Sequence, residues 1–255
     1  MRNKLYVGLL AVASAGYLLR RLGKRWGATE DEMHRSLPGD NLVPHPMLET
    51  THAITIYAPA AAIWPWLVQM GYDRGWWYTD ARWYRLLETS LWKAKPHTSA
   101  DRIIPEFQHL AVGDTVPDGP PGTAFFTVAQ LQPQQALALY STTHILFMAP
   151  ALVRNNPRLG LYGDFSWAFI LDEKEEGVTR LIVRTRASYG PRLFRMLTLL
   201  LLYPGDFIMA RMMLRGIKRR VEQRVGTGYG KPQEEDPVAL TTEQVGRVGV
   251  GSHIS

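Results

Sequence analysis

The sequence contains no cysteine. This absence excludes disulfide bonds, thiolate metal ligands and cysteine nucleophiles. The seven histidines include no HxH or HExxH pair, so no histidine spacing typical of a metal site is present. The chain also lacks GxSxG, Walker and GxGxxG motifs, which are the sequence signatures of serine hydrolases and nucleotide-binding proteins. We therefore expect neither a metal nor an organic cofactor.

Acidic residues are absent from the first 25 positions, which carry six basic residues around an apolar stretch over residues 5–19. As a helix this stretch would be about 22 Å long, whereas the bilayer core is about 30 Å thick. We expect residues 1–26 to form a short apolar helix that lies on a membrane or anchors in it. A helix packed on the domain and a cleaved signal peptide are the alternatives. For an anchor, the denser basic flank after the apolar stretch predicts a domain on the cytoplasmic side.

A second basic region covers residues 191–225, and the whole chain has a formal net charge of +6. Both basic regions flank apolar sequence, and no aromatic-interleaved motif for reading bases accompanies them. We therefore expect no nucleic-acid partner. Attraction to an anionic lipid surface fits this charge distribution better.

The rest of the chain is predicted to contain alternating linkers, helices and strands. Residues 27–50 are polar and proline-bearing, which predicts a linker with one short helix around residues 30–36. A strand over 52–57 precedes a helix that Pro59 opens and Gly71 closes, and a second helix is expected over 80–89. Further strands are predicted over residues 112–116, 124–131, 136–142, 165–171 and 179–186. In the last of these, one face is apolar and the other carries arginines that are expected to face water.

The longest helical pattern covers residues 191–225, with a kink or break expected at Pro204-Gly205. A disordered tail is expected over residues 226–255. The predicted fold class is α+β. It is a helix-grip domain over residues 51–225, in which a curved antiparallel sheet wraps around the long C-terminal helix, preceded by the short N-terminal apolar helix. Such a sheet usually encloses an apolar cavity beside the helix.

Several spaced motifs, covering roughly residues 37–224, resemble the SRPBCC superfamily of START lipid-transfer domains, polyketide cyclases and the birch pollen allergen fold. They resemble more specifically a largely uncharacterised bacterial branch of it. The matching segments are Ile63-Trp64-Pro65-Trp66-Leu67-Val68-Gln69-Met70-Gly71, Arg74-Gly75-Trp76-Trp77-Tyr78, Ser99-Ala100-Asp101-Arg102-Ile103, Pro105-Glu106-Phe107-Gln108, Val112-Gly113-Asp114, Ser166-Trp167-Ala168-Phe169 and Leu214-Arg215-Gly216-Ile217-Lys218. The resemblance implies the helix-grip fold and does not specify one function.

The predicted cavity and the two basic ends together favour binding or transfer of a hydrophobic small molecule, a lipid or a polyketide-like compound, near a membrane. On this reading the protein is not an enzyme. The residues expected to line the cavity are Trp66, Trp76, Tyr78, Arg102, Phe126, Tyr140, Trp167, Phe169, Met209 and Met213.

The alternative is a cofactor-free cyclase, dehydratase or hydrolase that uses a cavity carboxylate as acid or base. The candidates are Glu106, Asp80 and Asp206. Asp80 and Asp206 each also fit the N-cap of a helix, Asp206 after the expected break at Pro204-Gly205. Asp101-Arg102 also fits a structural salt bridge that ties the long loop to the sheet.

Overall fold

The structure, a computed structural model, describes residues 23–81, 98–144, 147, 156, 158, 160–190 and 195–226, with side chains of the last range described from Gly205 onward. The expected N-terminal apolar helix, most of the helix expected over 80–89 and nearly all of the expected tail lie outside these residues. Within the described parts of the chain, no helix is both long enough and apolar enough to cross a membrane.

The described part of the fold includes three α-helices, six strands and two short 3₁₀ turns, Asp40–Leu42 and Pro105–Phe107. The order and bounds of the α-helices and strands are α1 (Glu30–His34), β1 (Leu48–Ile56), α2 (Ala60–Val68), β2 (Thr115–Pro117), β3 (Phe125–Gln132), β4 (Ala136–Ser141), β5 (Tyr162–Glu175), β6 (Val178–Gly190) and α3 (Arg195–Val225). The α+β prediction and the helix after Pro59 are therefore confirmed. β5 and β6 are longer than predicted, because they continue beyond the segments that alternate clearly in sequence.

The six strands form one antiparallel sheet with the order β1-β6-β5-β4-β3-β2. β1 and β2 are its two edges, so the curled sheet is open. Bulges interrupt the pairing of β3 with β4 and of β5 with β6, and a bulge bends a strand and increases its twist. The C-terminal helix and α2 pack on one face, which we call the inner face. This arrangement fits a helix grip.

The inner face carries the main core. Period-two alternation directs Leu181 and Val183 of β6 inward, where they meet Ile217 and Val221 of α3. Gly216 allows this helix to approach the turn before residue 80, because a Cβ at this position would lie 2.2 Å from the carbonyl oxygen of Tyr78. The sequence pattern therefore sets which faces meet, and one glycine sets how closely they meet.

The outer face of the sheet corrects two expectations. The arginines of β6 do not face open water, because residues 27–42 pack across them. Arg184 is only 2% exposed and binds Asp40 at 2.8 Å, and Arg180 binds Glu32 through two hydrogen bonds of 2.8 and 2.7 Å. Much of the segment expected as a linker is thus a folded cover, which includes α1 and its Thr29–Glu32 capping box. This cover forms because charged residues that are far apart in the chain pair with each other. No local sequence pattern reveals such pairs.

The final helix corrects one part of a third expectation, which allowed either a kink or a break at Pro204-Gly205. It runs from Arg195 to Val225 without interruption, so Pro204-Gly205 does not break it. A proline removes one intrahelical hydrogen bond, and the turns beyond it are held by packing on β1 and α2. Because the helix does not restart, Asp206 lies inside it and is not an N-cap.

Candidate functional site

A group of rings lies on the inner face, at the end of the sheet formed by β3, β4 and β5. We call it the aromatic cluster, and it consists of Trp77, Phe126, His144, Phe165, Trp167 and Phe169. The rings of Trp77 and Trp167 are 5.1 Å apart, and Phe126 lies 6.0 Å from Trp77 and 5.9 Å from Trp167. Phe165 is partly exposed, so the cluster reaches the surface at that ring. These contacts form a continuous wall of rings that is buried except at Phe165.

Two polar atoms within this wall lack a partner. The indole nitrogens of Trp77 and Trp167 are buried, and neither makes a hydrogen bond within the described structure. The two residues are only 3% and 4% exposed. A buried donor without an acceptor costs about 1–3 kcal/mol, and native proteins rarely leave one unexplained.

The turn before residue 80 decides which tryptophan joins the cluster. Trp76 and Tyr78 both have left-handed φ angles, of 59° and 58°, so the side chains of this turn do not alternate as in a strand. Trp76, the predicted wall residue, packs against Tyr72 with ring centroids 4.6 Å apart and the rings tilted by 59°. Trp77, which sequence reasoning did not select, packs in the cluster instead. The only feature of the sequence that could have indicated Trp77 is its position next to Trp76.

Tyr78 and Trp66, both predicted to line the cavity, are fully built into the core. The Tyr78 hydroxyl donates to the carbonyl of Trp66 at 2.8 Å and accepts from Gln69 Nε2 at 3.0 Å. Burial, the largest influence, raises the pKa of this phenol, while the hydrogen bond from Gln69 opposes the rise. Tyr78 therefore stays neutral and holds the end of α2.

Gln69 also holds the loop over residues 98–108. Its amide nitrogen donates to the carbonyl of Arg102 at 3.1 Å, and its carbonyl oxygen accepts from the backbone N–H of Ile104 at 2.9 Å. Arg102 itself is exposed, so the loop uses its backbone and not its guanidinium. Arg74 closes the C-terminus of α2 by donating to the carbonyls of Val68 and Met70. These motif residues form a structural brace.

Asp80 is paired and does not act as a free acid. Arg220 contacts its two oxygens at 2.7 and 3.0 Å, and Arg219 also pairs with it. Burial raises the pKa of the Asp80 carboxyl, but the hydrogen bond and charge of Arg220, helped by Arg219, outweigh burial and lower it. Asp80 therefore stays ionised and joins the end of the turn to α3.

The other two candidate carboxylates also lie outside the aromatic cluster. Glu106 is exposed in a short 3₁₀ turn over Pro105–Phe107. Asp206 accepts hydrogen bonds from Thr50 at 2.6 Å, from Thr185 at 2.8 Å and from His52 at 3.0 Å. These donors tie α3 to β1 and β6. The structure thus assigns Asp80 and Asp206 to tertiary contacts and leaves Glu106 in solvent.

The remaining predicted lining residues divide between the two faces of the sheet. Phe126, Trp167 and Phe169 lie in the aromatic cluster, and Met213 is buried in the core, with Met209 packed against it. Tyr140 lies on the outer face, because it alternates with the inward residues of β4, and it donates to Asp164 at 2.5 Å. This hydrogen bond, aided by burial and the Asp164 charge, raises the pKa of Tyr140 to about 12.

A polar chain that sequence reasoning missed lies against the aromatic cluster. His144 stacks with Phe126 and Phe165 at centroid distances of 4.1 and 5.3 Å. Its Nδ1 is 2.7 Å from the hydroxyl oxygen of Ser141, and its Nε2 is 2.9 Å from Asp118 Oδ2. The only sequence signal was a serine three residues before a histidine at the end of a strand. Asp118, on another loop, gave no signal.

Two other kinds of site are a metal centre and a surface groove. Within the described residues, no cluster of three or more histidine, aspartate and glutamate side chains could hold a metal ion. A shallow groove of about 310 Å³ lies on the outer face of the sheet, between Arg35 and Gln135. It is separated by the sheet from the aromatic cluster, and no residue of the cluster lines it.

No family model matches the sequence, and no curated protein matches it. Similar solved structures include a norcoclaurine synthase from Thalictrum flavum, at 13% identity and a TM-score of 0.40 over 70% of this chain and 96% of that one. Protein MLL2253 from Mesorhizobium loti has 15% identity and a TM-score of 0.40 over 70% and 99% of the two chains. The Aha1 dimer from Colwellia psychrerythraea has 16% identity and a TM-score of 0.36 over 71% and 100%. Likenesses at this level carry no argument about function.

Proposed function

We propose that this protein is an SRPBCC-type binding domain that holds a hydrophobic, polyketide-like small molecule against its aromatic cluster. The single observation that carries the proposal is the pair of buried indole N–H groups of Trp77 and Trp167 without an acceptor. The strand order and the C-terminal helix on the inner face are compatible with such a domain.

The chemistry of the wall indicates the kind of ligand. Flat rings favour offset or edge contacts with other aromatic rings, worth about 0.5–1.5 kcal/mol per pair beyond the apolar area that they bury. The two indole nitrogens donate and cannot accept. The preferred ligand is therefore a flat apolar molecule that carries a carbonyl or phenolic oxygen near one edge, which entirely hydrocarbon ligands lack.

The partly exposed ring of Phe165 provides the route by which such a ligand reaches the wall. Phe165 stacks on His144 at an interplanar angle of 18°, and both lie at the end of the sheet where the cluster meets solvent. Rotation of one ring would open the wall without moving a strand. Changes of side-chain rotamer are common where proteins bind their partners.

Fluorenone and fluorene test the proposal directly, because they share one flat carbon skeleton and differ in a carbonyl oxygen. Equilibrium dialysis of the full chain should show binding of both and tighter binding of fluorenone. One hydrogen bond worth about 0.5–1.5 kcal/mol corresponds to roughly a 2- to 12-fold preference. Absence of binding for both compounds would contradict the proposal.

Substitution of the two tryptophans that donate tests whether their N–H groups cause the preference for fluorenone over fluorene. Trp77→Phe and Trp167→Phe keep a ring and remove an N–H, so each should reduce the preference for fluorenone while fluorene still binds. Trp76→Phe is the control, because Trp76 packs on Tyr72 outside the cluster. An equal loss of fluorenone preference in all three variants would indicate a general packing defect instead.

We also propose that the ligand is taken from or delivered to a membrane on the cytoplasmic side, through the N-terminal segment. The support is the sequence of residues 1–26, in which basic residues flank an apolar stretch. Each basic residue near an anionic surface contributes about 1 kcal/mol. Flotation with phosphatidylglycerol vesicles tests this, with phosphatidylcholine vesicles as the control.

Replacement of Arg20, Arg21, Lys24 and Arg25 by glutamine should lower the fraction that floats with anionic vesicles. The same variant should bind fluorenone as the unaltered chain does, because these residues are outside the aromatic cluster. Flotation that is independent of lipid charge would contradict the electrostatic part of the proposal.

A further inference from the structure

The polar chain beside the aromatic cluster has one consistent assignment of hydrogens. The carboxylate of Asp118 has no hydrogen to donate, so the Nε2 of His144 is the donor in their 2.9 Å contact. A neutral imidazole with hydrogen on Nε2 leaves Nδ1 as an acceptor. The Ser141 hydroxyl, 2.7 Å away, therefore donates to Nδ1.

The serine hydroxyl is held in this orientation by its neighbour. The backbone N–H of Thr143 donates to Ser141 Oγ at 3.0 Å, which occupies one lone pair of the oxygen. The Thr143 hydroxyl oxygen accepts from the Phe125 N–H at 3.1 Å, and its own hydrogen has two acceptors, the Phe125 carbonyl at 3.2 Å and Ser141 Oγ at 2.9 Å. The contact with Ser141 is the shorter one, and with that donation the proton of Ser141 is left to His144 Nδ1 at 2.7 Å.

Both ring nitrogens of His144 are occupied, so the histidine cannot act on a ligand directly. Proton transfer can reach a ligand only through Ser141, whose oxygen lies on the inner face of the sheet with the aromatic cluster. A hydrogen-bonded chain that runs from an aspartate through a histidine to a serine is the arrangement that activates a serine nucleophile. The two ring nitrogens are exchanged relative to the usual triad, which leaves the direction of proton transfer the same.

The aromatic cluster also offers donors for a developing oxyanion. Ser141 pairs with Phe165 across β4 and β5, and Trp167 is the next inward residue of β5, about 7 Å along the strand. Its indole N–H and that of Trp77, 5.1 Å away between ring centroids, have no acceptor in the described structure. Preorganised donors in a water-poor site are what an acyl-transfer transition state requires.

We propose that Ser141, His144 and Asp118 form a nucleophilic site that hydrolyses an apolar ester held against the aromatic cluster. This rests on the proposed function, since the ester occupies the same wall. Ser141 Oγ bonds to the carbonyl carbon and its proton passes to His144 Nδ1. The ester C–O bond then breaks, and the leaving alkoxide takes that proton. A solvent water repeats both steps on the acyl-serine, which releases the acid and regenerates Ser141, with no change in oxidation state.

The first test is covalent labelling of the full chain with diisopropyl fluorophosphate. The Ser141 oxygen should form a bond to phosphorus as fluoride leaves, and peptide mass spectrometry should locate the adduct on Ser141. Ser141→Ala should abolish the adduct, and His144→Gln and Asp118→Asn should slow its formation at least tenfold. Ser166→Ala is the matched control, because Ser166 is a buried serine on the opposite face of β5 and should leave labelling unchanged.

The second test is the hydrolysis of para-nitrophenyl butyrate, followed by release of nitrophenolate. The rate should fall at least a hundredfold in Ser141→Ala. Thermal unfolding and fluorenone binding are measured on the same samples, so that a misfolded variant is recognised by loss of both. His144→Gln provides a second variant if Ser141→Ala does not fold.

The outcomes separate the two proposals. Fluorenone binding without labelling or ester hydrolysis overturns the nucleophilic site and leaves the binding function standing. Hydrolysis that is equal in Ser141→Ala and Ser166→Ala also overturns it. Absence of both binding and hydrolysis in the folded full chain overturns the binding function and, with it, this inference.

Discussion

His52 Nε2 lies 3.0 Å from Asp206 Oδ2, across the interface between β1 and α3. The other ring nitrogen, Nδ1, accepts from the backbone N–H of Trp26 at 3.2 Å, so the hydrogen on the neutral ring belongs to Nε2 and is donated to Asp206. Trp26 in turn lies beneath the guanidinium groups of Arg211 and Arg215. One imidazole therefore links the beginning of the described chain to its final helix.

Removal of the Asp206 carboxylate should destabilise the fold. Asp206→Ala leaves the hydroxyls of Thr50 and Thr185 and the His52 N–H without their acceptor, and we expect a loss of about 2–4 kcal/mol in the free energy of unfolding. Asp206→Asn keeps one carbonyl oxygen and should lose less. Urea denaturation measures both. Asp101→Ala, at an exposed aspartate, is the control, and an equal small effect at both positions would contradict the prediction.

Arg184 should be the most sensitive arginine of the outer face. It donates to Asp40 and to the carbonyls of Glu32, Met33 and Arg35. Arg184→Met keeps the length of the side chain but removes the nearest charge partner of the half-buried Asp40 carboxylate and the donor to three backbone carbonyls. Asp40 keeps Arg186 and the Leu37 N–H, so we expect a loss of about 2–4 kcal/mol in the free energy of unfolding. Arg224→Met, at an exposed position of α3, should change the free energy of unfolding by less than about 0.5 kcal/mol. Urea denaturation curves of the two variants give the comparison.

The contribution of Asp80 should depend on pH in a defined direction. Its pKa in the folded protein is lowered, so the folded state binds fewer protons than the unfolded state as the carboxyl titrates. Its stabilisation is therefore complete above the unfolded pKa of about 3.9 and is lost as pH falls through the lower folded value. We expect Asp80→Asn to lose about 1–3 kcal/mol at neutral pH.

Unfolding of the unaltered chain and of Asp80→Asn at a series of pH values checks this. The difference between their free energies of unfolding should shrink on acidification below about pH 4. A difference that grows as pH falls would show that burial, and not the pairing with Arg219 and Arg220, controls this carboxyl. Asp101→Asn provides a solvent-exposed control for the same series.

Tyr140 should contribute to stability but not to ligand binding. Its pKa is raised to about 12 by the hydrogen bond to Asp164, whereas an unfolded tyrosine titrates near about 10. The stabilisation is thus present below about pH 10 and is lost as pH rises towards about 12. Tyr140→Phe should cost about 1–2 kcal/mol at neutral pH and leave fluorenone binding unchanged. A loss of fluorenone binding would contradict the placement of Tyr140 on the outer face.

Local periodicity was sufficient for much of the fold. Leu181 and Val183 alternate with arginines, which predicts a strand with two distinct faces. Proline at position 59 followed by apolar residues predicts the helix that begins at Ala60. The apolar repeat from Phe207 to Val221 predicts the covering helix. Each of these predictions depends only on residues that are a few positions apart, so the sequence alone is sufficient for it.

The residues of the candidate site could not all be predicted from local periodicity. Phe126, Trp167 and Phe169 could be selected because they alternate within strands, whereas Trp77 depends on two left-handed residues in a turn that the sequence does not mark. Trp76 was selected in its place. Asp118 and His144 are separated by a loop and two strands and meet only because β2, β3 and β4 pair in the observed register.

The sequence by itself determined the α+β class, the inward faces of the strands, the position of the long helix and the absence of thiol chemistry. The tertiary structure decided what covers the arginines of β6, where Asp80 and Asp206 find partners, and which serine, histidine and aspartate lie together. The physical reason is that these contacts join residues far apart in the chain. Their energies depend on distances and burial that exist only after the sheet has curled and the helix has packed on it.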